Sequence, residues 1–500
     1  MNFKNKKILI ANRGEIAKRV IFACKELGIK TVTMYSDADK GSEFTQLSDE
    51  TYPLNGNESR ETYLDISKVI AIAKNAKVDA IHPGYGFLSE EPELPRQCEK
   101  EGILFIGPKS SVMKKLGLKV ESKKIADKLT IPRSPGSLTL ISSPKEAKKF
   151  AKEIGYPVII KATGGGGGKG MRLVETEAQC DEALKSAQQE AKNAFSESGV
   201  FVEKYISNLR HIEIQVIGDS FGNALHFFER ECSIQRNHQK VIEEAPSIFL
   251  TQKEREELGT HATNLAKEVG YIGAGTVEFI CDENRNFYFC EMNTRIQVEH
   301  GVTELITGYD LIKEQISVCF GNPLSMKQEE IRINGAAIEC RITAEDPSNN
   351  FMPSIGTIIN FNPPQGEGLR MDGIVKKNLT ISPYYDSLIV KLMSYGKTRE
   401  EARRRMIVFL ESMKIDGIKT NLALHKTIMS TQNFTKGNLN TNFLKDNNII
   451  EKIGKQANHS HTELLHAALS FVAMKETQSF KNSSKNNTEA MSSWVRSSWE

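Results

Sequence analysis

The stretch GAGTVEFICDENRNFYFCEMNTRIQVEH, residues 273–300, decides how this chain is read. Two apolar-rich runs flank DENRN, a turn signal, so the segment predicts a β-hairpin. With Asn284 and Arg285 as its two central residues, Glu278 falls opposite Glu291 on one face. Directly opposed residues have Cβ atoms roughly 4.5–5.5 Å apart. Two carboxylates so placed repel unless a cation lies between them. Oxygen ligands with room for water and phosphate suit Mg²⁺ or Mn²⁺. The alternation is expected to continue, with Glu291, Asn293, Arg295, Gln297 and Glu299 on one face and Met292, Thr294, Ile296 and Val298 on the other. An amphipathic strand with one wet side is the commonest reason for such a pattern. A random solvent face would usually include Lys, Ser or Thr. This one has none, and Glu278 completes a site for a metal and its anionic ligands.

Upstream, the run Gly164–Gly168 lies between VIIKAT and MRLV. Consecutive glycines let backbone N–H groups approach phosphate oxygens without Cβ interference. A strand rather than a helix follows, which argues against a dinucleotide fingerprint. Gly170 after Lys169 excludes the phosphate-binding G-K-[ST] ending. What remains is a hairpin tip that folds over a nucleotide. Lys161 feeds that loop, and Lys119 lies earlier in GLKVESKK. Each is a compact cation suited to phosphate, although a solvated surface lysine is the commoner role. The segment ERECSIQRNHQKVIEEAP (229–246) crowds Arg230, Arg236, His238 and Lys240 with four glutamates, and reads by itself as a surface ion-pair network. In RHIEIQVIG (210–218), Ile212, Ile214 and Val216 share one face, with His211, Glu213 and Gln215 on the other.

The first hundred residues alternate strand and helix. KILIAN (7–12), TVTMYS (31–36), VDAIHPG (78–84) and ILFIGP (103–108) are strands. GEIAKRVIFACKELG (14–28) carries Ile16, Val20, Ala23 and Leu27 at helical spacing and stops at Gly28. This βαβ series predicts a parallel sheet with flanking helices. From about 132 to 205 a small α+β unit is expected, with helices at 143–155 and 177–195. Five hundred residues allow about three domains. Sixty-six basic and sixty-three acidic residues exclude a polycation that holds nucleic acid by bulk charge, and also an acidic disordered chain. No run of eighteen apolar residues predicts a membrane span, and no secretory leader is evident. The eight cysteines form no C-x-x-C pair, so a reducing cytoplasm is the expected setting.

The motifs IANRGEIAKR, HPGYGFLSE, YPVIIKATGGGGGKGM, RHIEIQV, CSIQRNHQKVIEEAP, EMNTRIQVEH, ECRITAEDP, PYYDSLIVKL and DGIKTN occur in order from about residue 5 to 447. Together they resemble biotin carboxylase, the ATP-grasp component of biotin-dependent carboxylases. The resemblance implies an α/β and α+β fold. A Rossmann-like N-terminal domain would span 1–116 and an ATP-grasp domain 117–332, with a mobile lid at about 132–205. A C-terminal α+β domain would span 333–449, followed by a helical and polar tail, 450–500. It implies that Mg-ATP activates bicarbonate as carboxyphosphate, and that the ureido N1′ of biotin is then carboxylated. By resemblance, Lys119, Lys161, Gly167, Gly168, Glu203, Lys204, Tyr205, Ile206, His211, Gln235 and His238 would hold ATP. Glu278, Glu291 and Asn293 would hold Mg²⁺ or Mn²⁺. Lys240, Arg295, Gln297 and Val298 would hold bicarbonate, with Glu299 as its general base. Arg341 would stabilise the biotin enolate, with Tyr85 and Gly86 near the ring.

Two positions depart from the family pattern. Lys169 stands where an arginine is common, and Gly301 stands where proline is usual, which is expected to loosen the chain past Glu299. AMKE (473–476) is similar to a biotinylation sequence, but it ends a helical pattern without glycine-rich strands. Lys475 is therefore not expected to carry biotin. A biotin carboxyl carrier protein and carboxyltransferase subunits are expected on separate chains. The tail, with Trp494 and Trp499, resembles a subunit-docking element. Acetyl-CoA carboxylase is the first expectation for the complex, with the corresponding subunit of a pyruvate or propionyl/acyl-CoA carboxylase as the alternative. The resemblance also suggests a homodimer. The remaining rivals are another ATP-grasp ligase and a nucleotide-binding scaffold without catalysis.

Overall fold

The computed structural model describes residues 3–141, 143–162, 171–195 and 199–455. Its first layer is the expected parallel sheet: β1 (Lys7–Ile10), β2 (Lys30–Tyr35), β3 (Glu50–Pro53), β4 (Ala80–His82) and β5 (Leu104–Phe105). Their order is β3-β2-β1-β4-β5, all parallel. The helix after β1, Gly14–Glu26, buries Ile16, Val20 and Ala23. It ends before Gly28, whose φ of +71° is the left-handed conformation that glycine tolerates past a helix end.

The middle unit has its own antiparallel sheet, β6 (Val158–Ala162), β7 (Met171–Val174) and β8 (Val200–Lys204), in the order β7-β6-β8. Its helix Pro144–Ile154 starts where the Ser143 hydroxyl accepts the Glu146 N–H, with proline in the first turn. Val158, Ile160, Val174, Leu184, Val200 and Val202 form a separate core. The glycine run, with Gly167, Gly168 and Lys169, lies outside the described residues, as do Lys475, Trp494 and Trp499.

The site is built on an eight-stranded antiparallel sheet. It contains β9 (Arg210–Gly218), β10 (Ala224–Arg236), β11 (Gln239–Ala245), β12 (Gly273–Cys281), β13 (Phe287–Asn293) and β14 (Ala336–Thr343). Strands Leu388–Gly396 and Leu369–Gly373 complete it, in the order β13-β12-β9-β10-β11-β14 and then these two. The β11–β14 pairing makes one continuous sheet from segments that lie far apart in the chain. Ile212, Ile214 and Val216 pack with Leu258, Ala262 and Leu265 of the helix Gln252–Glu268. The polar row opposite is also buried: Glu213 and Gln215 are fully inaccessible.

Three expectations change here. The hairpin does place Glu278 opposite Glu291, but not through a two-residue turn. Asp282 and Asn286 close a three-residue tip, in which Arg285 has φ +64°. A bulge between Phe289 and Glu291 then shifts the register by one residue and restores the pair. Second, the strand ends at Asn293, and residues 294–299 form bends and a turn rather than continued alternation. Third, Gly301 does not loosen the chain. It lies buried in the helix His300–Thr307, where an added Cβ would collide with the Met393 sulfur.

Candidate active site

Cross-strand register lays charged side chains in a row. Glu291 on β13 faces Glu278 on β12, which faces Glu213 on β9, which faces Arg230 on β10. Arg230 is fully buried and donates to Glu213, Gln215, Thr276, Gln297 and Thr303. The 229–246 segment is therefore not a surface ion-pair network. Glu229, Arg230, Glu231, Glu243 and Glu244 are all at most 2% exposed. A charge so deeply placed persists only when its donors are satisfied, and every Arg230 nitrogen finds an acceptor.

Lys240 stands over this row. Its Nζ lies 2.5 Å from Glu213, 3.1 Å from Glu278 and 2.7 Å from Glu299. Burial alone would lower this ammonium, but the carboxylates of Glu213, Glu278 and Glu299 push it well above its ordinary value. Burial would raise Glu299, yet Lys240, Arg341 and Arg230 hold it well below the usual carboxylate range. Glu299 is thus a charged group gripped from two sides. Arg341 donates to Glu299 Oε2 at 2.8 Å and, through Nε, to Glu243 at 2.6 Å. Arg295 bonds Glu90 at 2.9 Å, and Asn293 at 3.2 Å. Gln297 and Asn293 each donate to Glu278 Oε1, at 2.9 and 2.8 Å.

The same carboxylates suit a cation. Burial would raise Glu278, but Lys240 and His211 keep it well below the usual range. Glu291 is pushed up, first by burial and then by the Glu278 charge beside it. Among the described residues, the lysine within ion-pair reach of Glu291 is Lys119, 3.9 Å away. A hard divalent ion would suit such an opposed carboxylate pair. His211, Glu213 and Glu278 also lie within ligand distance of one another. Glu213 is already held by Arg230 and Lys240, and Glu278 is bonded by Lys240, Asn293 and Gln297.

At the other end, Lys161 Nζ meets Glu203 at 2.5 Å. Lys204 sends its ammonium to the Gly155 and Tyr156 carbonyls, so it faces a ligand through its backbone only. Tyr205, Ile206, His211, Gln235 and His238 continue the wall, and Tyr85 and Gly86 close the opposite rim. These residues, with Lys119, Val298, Glu278 and Glu291, line one cleft of ≈ 1190 Å³, which the fully buried Glu213 and Arg230 do not reach. Among the described residues, every candidate named from the sequence borders it.

Several residues that build the site carried no signal of their own. Asn12 donates to the carbonyls of Pro83 and Tyr85, both at 2.7 Å, and so fixes the Tyr85–Gly86 loop. Gly84 there has φ +65°, and an added Cβ would come within 3.0 Å of the Asn12 amide. Lys391, fully buried, donates to the Val298 carbonyl at 2.9 Å and lies 3.2 Å from Glu15. Arg230 was detectable in principle, because polar residues facing a second polar strand face mark a buried network rather than solvent.

A large cleft over an antiparallel sheet, beside a small three-stranded unit that has its own core, fits the ATP-grasp architecture. The sequence comparisons then narrow the class. Residues 4–113 match the biotin carboxylase N-terminal domain, and 339–446 the biotin carboxylase C-terminal domain. Residues 119–327 match the carbamoyl-phosphate synthase L chain ATP-binding domain. The chain is 50% identical over 441 residues to biotin carboxylase 1 of Bacillus subtilis, covering 88% of this chain and 98% of that protein. It is also 50% identical over 440 residues to a pyruvate carboxylase subunit of Methanothermobacter thermautotrophicus, covering 88% and 89%. Among solved structures, the biotin carboxylase domain dimer of Hydrogenobacter thermophilus 2-oxoglutarate carboxylase matches with a TM-score of 0.86. It is 47% identical, covers 89% of this chain and 98% of its own, and was solved with MgADP, ADP and bicarbonate. The Campylobacter jejuni biotin carboxylase–βγ-ATP complex also gives 0.86 at 47% identity, covering 89% and 99%. This chain belongs to the biotin carboxylase family of ATP-dependent ligases.

Proposed function

We propose that the chain performs the first half-reaction of a biotin-dependent carboxylase, the carboxylation of biotin on a separate carrier protein at the expense of ATP. The observation that carries this reading is Glu299, held between Lys240 and Arg341 beside the opposed pair Glu278–Glu291. Phosphoryl transfer depends mainly on positioning and charge neutralisation. Lys119, Lys161, His211, Gln235, His238 and the backbone of Glu203–Ile206 orient the nucleotide, with Gly167 and Gly168 completing the phosphate cover. Glu278, Glu291 and Asn293 hold Mg²⁺ or Mn²⁺, which supplies charge stabilisation at the transferred phosphoryl group. Lys240, Arg295, Gln297 and the Val298 backbone bind bicarbonate. Glu299 takes the bicarbonate proton as an oxygen of that anion bonds to the γ-phosphorus, and ADP leaves. A low-pKa carboxylate is a weak base, so Lys240 and Arg295 must make the bound bicarbonate more acidic. Carboxyphosphate then yields CO₂ and phosphate. The released phosphate takes the biotin N1′ proton, Arg341 stabilises the resulting enolate, and N1′ attacks CO₂, with Tyr85 and Gly86 beside the ring.

In this reading residues 1–116, 117–332 and 333–449 act as one three-part catalytic body, with the lid at about 132–205. The partners are a biotin carboxyl carrier protein and carboxyltransferase subunits, the working form is a homodimer, and the setting is the cytoplasm. The carboxyl group is destined for acetyl-CoA. Equal identity to a subunit of pyruvate carboxylase favours pyruvate as the second reading. Among the described residues no helix is long and apolar enough to cross a membrane. The test is bicarbonate-dependent ATP cleavage with and without free biotin. Stimulation by biotin supports the reading. Amine dependence would instead identify another ATP-grasp ligase, and no turnover a scaffold.

A further inference from the structure

Arg341 enters the cleft at a gap in the large sheet. β11 pairs with β14 from Ala245–Ala337 as far as Ile242–Cys340. Before Ile242, β11 keeps its pairing with β10 alone, through Lys240–Gln235 and Gln239–Arg236. On that edge, β14 has no described strand partner beyond Cys340. The other edge still pairs Arg341 with Lys391, and its register shifts between Ile342 and Thr343. The gap gives Lys240, Glu299 and Arg341 room to converge. It also strips the Arg341 carbonyl and the Thr343 N–H of a ladder partner, and buried backbone groups cannot stay unpaired without loss of stability.

Asn421, the last residue of DGIKTN, supplies what the missing strand would. Its Nδ2 donates to the Arg341 carbonyl at 2.8 Å, and its Oδ1 accepts the Thr343 N–H at 2.9 Å. Its own backbone N–H donates to the Thr343 carbonyl at 3.2 Å. One side-chain amide thus presents the donor and acceptor of a neighbouring peptide group. His425, one helical turn on, places Nε2 2.8 Å from the same Arg341 carbonyl. A carbonyl only accepts, so Nε2 carries the hydrogen. Burial keeps the ring neutral, with its pKa lowered to about 4. Asn421 is 4% exposed and His425 not at all.

We propose that Asn421 is a positioning residue for Arg341: its amide, seconded by His425, fixes the backbone from which the guanidinium reaches Glu299 and biotin. This rests on the role given to Arg341 above. The test compares bicarbonate-dependent ATP cleavage, with and without free biotin, in the wild type, Asn421→Asp, Arg341→Gln and the double variant. Aspartate keeps the shape and the acceptor but sets a carboxylate against the Arg341 carbonyl. A misplacement near 1 Å costs up to about 10²-fold. The biotin-stimulated kcat of Asn421→Asp should therefore fall at least about tenfold, with KM for ATP unchanged. The same change should cost nothing further in the Arg341→Gln background. A fall of the same factor in that background would show a merely structural role and overturn the proposal. So would unchanged biotin stimulation in Asn421→Asp. Full stimulation in Arg341→Gln alone would overturn the Arg341 reading itself. His425→Phe keeps a ring and removes the second donor. It should lower the biotin-stimulated rate by a smaller factor, and an unchanged rate there counts against the clamp.

Discussion

In the proposed reaction Glu299 takes the bicarbonate proton, and its surroundings state what its removal should do. Lys240 and Arg341 both lean on its carboxylate. Glu299→Gln keeps the volume but removes the acceptor charge for the bicarbonate proton. Bicarbonate-dependent ATP cleavage should fall about 10²–10⁴-fold, the usual share of a general base, while ADP binding by calorimetry persists. Retained turnover removes Glu299 from that role. Glu15 gives a different kind of prediction. It lies buried 3.2 Å from Lys391, and burial pushes it up to about 7 from 4.5. A carboxyl whose pKa is raised on folding contributes stability that is fully present below 4.5 and is lost as pH rises through about 7. Glu15→Gln cannot titrate, so denaturant midpoints measured between pH 4.5 and 7 should decline less steeply than in the wild type. Equal slopes would show that Glu15 is charged throughout. The sequence made Glu299 visible because it ends a patterned run. It left Glu15 and Lys391 silent, because they act through each other from far apart in the chain.

At the scale of elements, the 273–300 hairpin shows what pattern reading delivers. Alternation and a turn signal were enough to oppose Glu278 and Glu291. The route was different: a three-residue tip and a bulge at Cys290 offset each other by one residue. Bulges have no reliable signature in a single sequence, because they answer to what the strand must face. Here the bulge leaves both Cys290 and Glu291 on the cleft, while Phe289 and Met292 remain in the core. The bends after Asn293 were equally hidden, yet Arg295, Gln297 and Glu299 still turn inward, held by Glu90, Arg230, Lys240 and Arg341. Gly301 sits just beyond, where its helix meets the Leu388–Gly396 strand. Alanine there gains at most about 1 kcal/mol of helix propensity. Its Cβ would press on Met393, which is fully buried, and overpacking costs typically about 1–3 kcal/mol. Gly301→Ala should therefore lower the urea midpoint, and a raised midpoint would mean that Met393 yields freely.

Across the whole molecule, a net charge of +3 hides a local arrangement in which Lys119, Lys161, Lys240, Arg295 and Arg341 all border one cleft. Lys161 comes from a three-stranded sheet with its own core, and Lys240 and Arg341 from the large sheet, part of which shares a core with the parallel sheet. In the proposed reading, a nucleotide in this cleft would touch both the three-stranded sheet and the large sheet. A ligand that binds only the folded chain stabilises it by about 2.7 kcal/mol at 100 times its Kd. Mg-ADP at that level should raise the thermal unfolding midpoint, and chelation should remove the metal-dependent share of the rise. Replacing both Glu278 and Glu291 by glutamine should abolish that share alone. Metal-free ADP should still stabilise the double variant, because Lys119, Lys161 and His238 are untouched. If Mg²⁺ added the same increment to the double variant as to the wild type, the opposed carboxylates would not be its site. If metal-free ADP also lost its effect, the substitutions would have damaged the cleft as a whole rather than its cation.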